Sequence, residues 1–312
     1  MKVAIIGNGN VGMSTFAAMQ NMREVNEIAL CGRNVEKVQG EVSDYLDARV
    51  LRDEVKCKLV GGGYEQTEGA DIIIYAAGVS MKPGQTRLDL LSSNIEIVNT
   101  IFAEVNKYNK EAIIIVISNP VDILTTAIRK VTGRPAKKVI GSGTLLDTAR
   151  MQRYLADLFD ITADDINLFL IGEHGDSSVI AWSSFRIMGM NIDEYISNEV
   201  GDVAVINKSQ YLDKVRTSAH KLIQAKGFSA YGAAAAACHL VSVIVNDTHE
   251  ILPVSTVLHG EYGVEDMAIS VPCLVGAGGI LEIKKMKLDP KEQKAFNKSV
   301  SILKEMVESI NL

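Results

Sequence analysis

Lys2-Val-Ala-Ile-Ile6 runs without a break into Gly7-Asn-Gly9-Asn10-Val11-Gly12, and residues with helical composition follow as far as Met22. The first five are apolar and mostly β-branched, too short a run for a helix, and read as a buried strand. A GxGxxG segment placed between a strand and a helix is far more specific than the glycines alone. Gly7 permits the tight turn, Gly9 lets backbone approach a pyrophosphate, and Gly12 lets helix pack on strand. The free N–H groups of Asn10, Val11 and their neighbours at the helix N-terminus suit phosphate oxygens. Few folds accept such a start, and a doubly wound α/β sheet is the foremost of them.

The next 130 residues keep that beat. Glu27–Cys31 reads as a second strand, Glu36–Val50 as a helix, Lys56–Val60 as a short strand and Gly61–Gly63 as a turn. Ala70–Ala77 and Ala112–Ile117 are continuous apolar runs, as expected of parallel strands covered on both faces, with a helix over Arg87–Tyr108 between them. The parallel Rossmann sheet is expected to end near Lys138–Gly141. Beyond it, helices mix with two antiparallel-looking segments, Ile251–His259 and Met267–Val275, and a helix over Pro290–Ile310 closes the chain. We therefore expect an α/β protein: a dinucleotide-binding domain over 1–141 and an α+β substrate or catalytic domain over 142–312, with the site in the crevice between them.

Composition removes several alternatives. A net charge of −6 over 312 residues argues against nucleic acid as a partner, which calls for a basic face. The longest apolar runs are too short to span a bilayer, and with a strand beginning at residue 2 no leader peptide is expected. Cys31, Cys57, Cys238 and Cys273 show neither CxxC nor metal-ligand spacing, so no metal is expected and the thiols fit a reducing cytoplasm.

Chemistry concentrates at a few places. Arg150 closes the segment Gly143-Thr-Leu-Leu-Asp147-Thr-Ala-Arg150, and His174 lies inside Gly172-Glu-His174-Gly-Asp176-Ser. A guanidinium holds a carboxylate through two parallel hydrogen bonds, and an imidazole exchanges a proton near neutral pH. Beside a nucleotide-binding turn, that pair implies a small acid oxidised or reduced next to its carboxylate. Asp147 stands three residues before Arg150, on the same helical face. The strand over 70–77 leads into Gly78-Val-Ser-Met81-Lys-Pro83-Gly84-Gln-Thr-Arg87, a loop suited to closing over a cofactor. Asn119, at the end of the strand over 112–117 and before Pro120, either makes an Asx turn or reaches the ligand cleft.

In this order, Gly7–Gly12, Lys82–Arg87, Ser118–Asp122, Leu146–Arg150 and Gly172–Asp176 resemble the L-lactate/malate dehydrogenase family, and the match runs from the first strand to the last helix. The resemblance implies an NAD- or NADP-dependent L-2-hydroxy-acid dehydrogenase acting on a small-molecule 2-oxo acid, as a homo-oligomer. It implies His174 as the acid/base, Asp147 as the group fixing its tautomer, and Arg150 as the clamp on the substrate carboxylate. Arg87 would polarise the carbonyl, and Asn119 would bond the carbonyl or the nicotinamide ribose side. An NAD-dependent glycosidase would need a Cys/His metal pair that is not found. A nucleotide sensor without catalysis would not require His174, Asp147, Arg150 and Arg87 together.

Three departures from the family pattern make the chain particular. Met81 stands where malate-type members carry Arg and lactate-type members commonly Gln. A thioether cannot neutralise a second carboxylate, and an unpaired buried charge is costly. Ser229 and Ala233 stand where lactate-type members tend to carry Thr and Ile, which should widen the pocket. The combination resembles the L-2-hydroxyisocaproate type, with medium or branched apolar side chains preferred, and a pyruvate-preferring lactate type as the alternative. The acidic residue expected at the end of the second strand, for the ribose 2′-OH, is Gly32, followed by Arg33. Loss of that carboxylate and gain of a guanidinium lean the cofactor toward NADP or toward relaxed specificity. Gln152 and Asn167 replace the basic residue and His that accompany fructose 1,6-bisphosphate activation, so no such activation is expected.

Overall fold

A computed structural model describes residues 1–51, 57–79, 87–200 and 208–310, with backbone alone at 87–89, 200 and 208–209. The first strand, β1 (Lys2–Ile6), leads into α1 (Asn10–Met19), and β2 (Glu27–Cys31) into α2 (Val35–Arg49). Then come β3 (Lys58–Gly62), β4 (Ile72–Tyr75), α3 (Arg87–Tyr108), β5 (Ile113–Val116), α4 (Val121–Thr132) and β6 (Val139–Gly141). The second half holds α5 (Leu145–Phe159), the short pair β7 (Leu170–Ile171) and β8 (Val179–Ile180), and α6 (Ile192–Tyr195). It continues through α7 (Lys208–Arg216), α8 (Ser218–Lys226) and α9 (Tyr231–Asn246) to β9 (Glu250–His259), β10 (Glu265–Gly276), β11 (Gly279–Ile283) and α10 (Pro290–Ser309).

Six parallel strands lie in the order β3-β2-β1-β4-β5-β6, the doubly wound arrangement, whose order reverses between β1 and β4. Their runs are apolar throughout because both faces are covered. Val3, Ile5, Ile72, Ile74, Ile113 and Ile115 pack into one buried cluster. The alternate residues Ala4, Ile6, Ile73, Tyr75, Ile114 and Val116 pack into another. This is the period-two alternation of a pleated strand, with both sides dry.

The expected antiparallel pair is present: β9 and β10 run antiparallel, with Ser255 opposite Ser270. They are not confined to the second half, because β9 also pairs with β6 at Gly141 and Ser255, making one nine-stranded sheet across residue 141. A third cluster, with Met151, Leu155, Leu168, Leu170, Ile180 and Phe185, forms beneath α5, apart from that sheet.

One local expectation is corrected. Gly61 and Gly62 belong to β3, opposite Leu30 and Cys31, rather than to a turn. A Cβ on Gly61 would meet the Val38 carbonyl oxygen and Val42 at 3.0 Å, so the glycine lets α2 lie close against the strand. Among the described residues, no helix is long and apolar enough to cross a membrane.

Candidate active site

The glycine turn is built as a cradle. Gly7 has φ +112° and its N–H bonds the Cys31 carbonyl at 2.9 Å, which extends the β1–β2 pairing by one residue before the chain turns into α1. A Cβ on Gly12 would lie 1.9 Å from the Gly7 carbonyl oxygen, so only glycine lets α1 start this close to the turn. Around Gly9 a Cβ would meet nothing within 4 Å. Asn10 is exposed beside it and Val11 half-buried. No side chain caps α1, so its first N–H groups face this opening. Next to it, the Asn8 Nδ2 is buried without a hydrogen-bond partner. The residues present therefore fit a dinucleotide: a glycine cradle, an uncapped helix N-terminus and a spare donor.

Gly32 is buried at the end of β2, and a Cβ there would lie 3.6 Å from Asn8 Oδ1, while Arg33 is exposed. Gly78 follows β4, and Asn94, fully buried on α3, accepts the Val79 N–H at 2.9 Å. Asn119 is exposed at the C-terminal edge of β5, and the Asn119–Pro120 peptide is cis.

The acid/base candidates converge. His174 Nδ1 lies 2.6 Å from Asp147 Oδ2, and Arg150 donates to the other oxygen, Asp147 Oδ1, at 3.0 Å. Two hydrogen bonds hold α5 to the strand before His174: the Thr144 hydroxyl donates to the Leu170 carbonyl at 2.6 Å, and Thr148 Oγ1 accepts the Leu170 N–H at 3.0 Å. The stretch between β7 and His174 is held from two more sides. Gly172 exchanges backbone hydrogen bonds with Ser270 of β10, and Glu173 N–H donates to Ser299 Oγ of α10 at 2.8 Å.

Sequence reasoning passed over one carboxylate. Asp122, in the first turn of α4, is 2 % exposed. Its Oδ2 accepts the His174 backbone N–H at 2.8 Å, and its Oδ1 accepts the Ser255 hydroxyl at 2.6 Å. The available signal was its place at the end of Ser118–Asp122, where it is the one charged residue of the strand-to-helix transition.

Electrostatics follow from these contacts. Burial by itself would depress the His174 pKa, but the charge and hydrogen bond of Asp147, with Asp122 behind, lift it to about 9. Burial pushes the Asp147 carboxyl up, yet His174 and Arg150 outweigh it and hold the group below its ordinary value. Asp122 is raised to about 6 by burial, against the Ser255 and His174 hydrogen bonds. With Nδ1 tied to a carboxylate, Nε2 is the nitrogen left to exchange a proton with a bound oxygen.

A cavity of about 230 Å³ opens beside Arg150, lined among others by Leu146, Arg153, Leu222, Lys226 and Ser229. Ser229 thus shares a cavity with Arg150. Ala233 does not line it; it is half-buried on the first turns of α9, one residue past the lining Gly232. Met81, Lys82 and the side chain of Arg87 lie outside the described residues. No group of three or more His, Cys, Asp or Glu able to hold a metal occurs among the described residues.

A doubly wound sheet, an open glycine cradle and a carboxylate-backed histidine define a dinucleotide-dependent oxidoreductase. The family model for the lactate/malate dehydrogenase NAD-binding domain matches residues 1–141, and that for the lactate/malate dehydrogenase α/β C-terminal domain matches residues 144–311. The chain is 39 % identical over 309 residues to L-lactate dehydrogenase 1 of Clostridium acetobutylicum, covering 99 % of this chain and 98 % of the relative. It is 37 % identical over 303 residues to an L-lactate dehydrogenase of Clostridium perfringens, covering 97 % and 95 %. The ligand-bound crystal structure of the minor L-lactate dehydrogenase of Enterococcus mundtii superimposes with a TM-score of 0.93 at 38 % identity, covering 100 % of this chain and 98 % of that one. This chain belongs to the lactate/malate dehydrogenase family.

Proposed function

We propose that the protein interconverts 2-oxo acids and L-2-hydroxy acids with a nicotinamide dinucleotide. The observation that carries this reading is the Arg150–Asp147–His174 relay, with bonds of 3.0 and 2.6 Å to the two oxygens of one buried carboxylate. Arg150 binds the substrate carboxylate in a bidentate fork, exchanging or sharing its Asp147 contact as it does so. His174, kept cationic by Asp147, places a proton from Nε2 on the keto oxygen, and recovers it in the reverse direction. Asp147 fixes the tautomer and stabilises the imidazolium. Arg87 stabilises charge developing on that oxygen, and Asn119 bonds the carbonyl or the ribose side of the nicotinamide. Gly7, Gly9, Asn10, Val11, Gly12 and Gly78 hold the dinucleotide. When bound, the nicotinamide supplies the hydride.

The relatives' names support pyruvate and L-lactate as a substrate pair. Met81, Ser229 and Ala233 support a wider pocket that also takes medium and branched apolar chains, at about 0.8 kcal/mol per buried CH₂. They disfavour oxaloacetate, whose second carboxylate would meet no cation from Met81. Gly32 and Arg33 support a cofactor preference relaxed toward NADPH, since the exposed guanidinium can pair with a 2′-phosphate. Exposed Leu46, Val50 and Leu51 near the end of α2, with Leu222, Ile223 and Tyr231 on α8 and α9, support a homo-oligomer. The free thiols support a cytoplasmic setting.

One panel tests the proposal: kcat/KM for pyruvate, 2-oxoisocaproate, phenylpyruvate and oxaloacetate, each with NADH and NADPH. We expect turnover of the first three, little with oxaloacetate, and NADPH at least comparable to NADH. No turnover of any 2-oxo acid rejects the function. A strong NADH preference rejects the cofactor reading alone, and pyruvate turned over to the exclusion of the longer acids rejects the wider pocket.

A further inference from the structure

Asp122 is a buried carboxylate that none of the roles above employs. It comes from the first turn of α4, yet its two oxygens reach two other elements: Oδ2 takes the backbone N–H of His174, and Oδ1 takes the hydroxyl of Ser255 on β9. At 2 % exposure for Asp122 and 0 % for Ser255, water does not compete for either bond. A purely structural tie between a loop and a helix is made as well by a neutral Asn or Ser. An ionised carboxylate in a dry site is costly unless the charge is used or well compensated. Here both hydrogen bonds favour the ionised form, while burial opposes it.

We infer that Asp122 is a positioning residue for His174, anchoring its backbone through the N–H and supplying, with Asp147, the negative field that keeps the ring protonated while a 2-oxo acid is bound. The inference rests on the acid/base reading of His174. The charged groups acting on the ring come from two elements, Asp147 and Arg150 on α5 and Asp122 on α4, while Glu173, beside the ring on the same loop, acts on Asp122. Asp147 bonds the ring and Asp122 the main chain, so the two carboxylates brace one residue at different atoms. Ser255 in turn ties Asp122 to β9, the strand that joins the second half of the chain to β6.

The test is titration by NMR of protein labelled with ¹⁵N and ¹³C at its five histidines. Asp122→Asn keeps an acceptor for the His174 N–H and removes the charge. We expect the His174 ring midpoint to fall by roughly 0.5–1.5 pH units, with the descending limb of oxo-acid reduction moving equally. Ser255→Ala keeps the charge and should leave the ring midpoint in place. If Asp122→Asn does not fold, the wild-type protein still decides: the His174 backbone amide should show an inflection near pH 6 as Asp122 titrates. An Asp122→Asn midpoint within about 0.2 of wild type, or a wild-type amide inflection that leaves Asp122 protonated at pH 7, overturns the inference. Failure of the underlying reading shows separately, as undiminished turnover in His174→Gln.

Discussion

Replacing Asp147 with Asn keeps the size of the side chain and removes the charge that His174 and Arg150 share. The His174 pKa stands at about 9 against an ordinary 6.5. That rise corresponds to about 3 kcal/mol of preference for the imidazolium. Asp147, bonded at 2.6 Å to Nδ1, is its largest favourable source. With the carboxylate gone, burial acts unopposed by Asp147 and the midpoint falls to 6.5 or below. A ring titrating at about 9 is almost wholly protonated at pH 7, whereas one at 6.5 is about a quarter protonated. The amide can also donate to Nδ1 and select the wrong tautomer. If the full 3 kcal/mol appears in the transition state, kcat/KM for oxo-acid reduction falls by on the order of 10²-fold at pH 7. The assay is loss of reduced-nicotinamide absorbance from pH 5 to 10. In wild type, reduction should decline as pH rises through about 9, because the proton donor is lost, and hydroxy-acid oxidation should rise over the same range. In Asp147→Asn the decline should move below pH 7. A variant with more than a tenth of wild-type kcat/KM and an unmoved limb would show that Asp147 does not hold the His174 proton.

Arg150→Lys keeps the charge but not the two-pronged geometry, and should raise KM for 2-oxo acids by about 10- to 100-fold with a smaller change in kcat; an unchanged KM removes Arg150 from the carboxylate clamp. Ser229→Thr adds one methyl to the cavity beside Arg150 and should shift kcat/KM by about fourfold in favour of pyruvate over 2-oxoisocaproate. No shift in that ratio would separate Ser229 from side-chain selection. Fructose 1,6-bisphosphate should leave substrate affinity unaltered, since Gln152 is occupied with the Ile166 carbonyl at 2.8 Å and Asn167 pairs with Arg186 through the backbone. A tenfold gain in affinity with the sugar phosphate would contradict this.

Much of the fold was legible because its signals are local. A five-residue apolar strand, a glycine turn and a helix leave little freedom, and continuous Ile runs mark strands covered on both faces. Gly61 and Gly62 misled because a glycine that admits a helix against a strand looks, in sequence, like one that makes a turn. The joining of β9 to β6 was not legible, since pairing across more than 100 residues leaves no periodic trace. Within the site, the pairing of Asp147 with Arg150 was readable from their spacing, whereas the meeting of Asp147 with His174, 27 residues on, was an expectation of the family resemblance. Asp122 was not readable, because its purpose depends on a backbone N–H 52 residues away, and main-chain partners are invisible in a list of side chains.

In the function proposed, His174, anchored by two carboxylates, transfers the proton that accompanies hydride transfer to a 2-oxo acid. The most direct test is kcat/KM for pyruvate reduction by wild type and by His174→Gln, at pH 7, on protein whose dinucleotide affinity is shown to be equal. The expected result is a loss of roughly 10³-fold or more with cofactor binding intact. A His174→Gln enzyme within tenfold of wild type would contradict it.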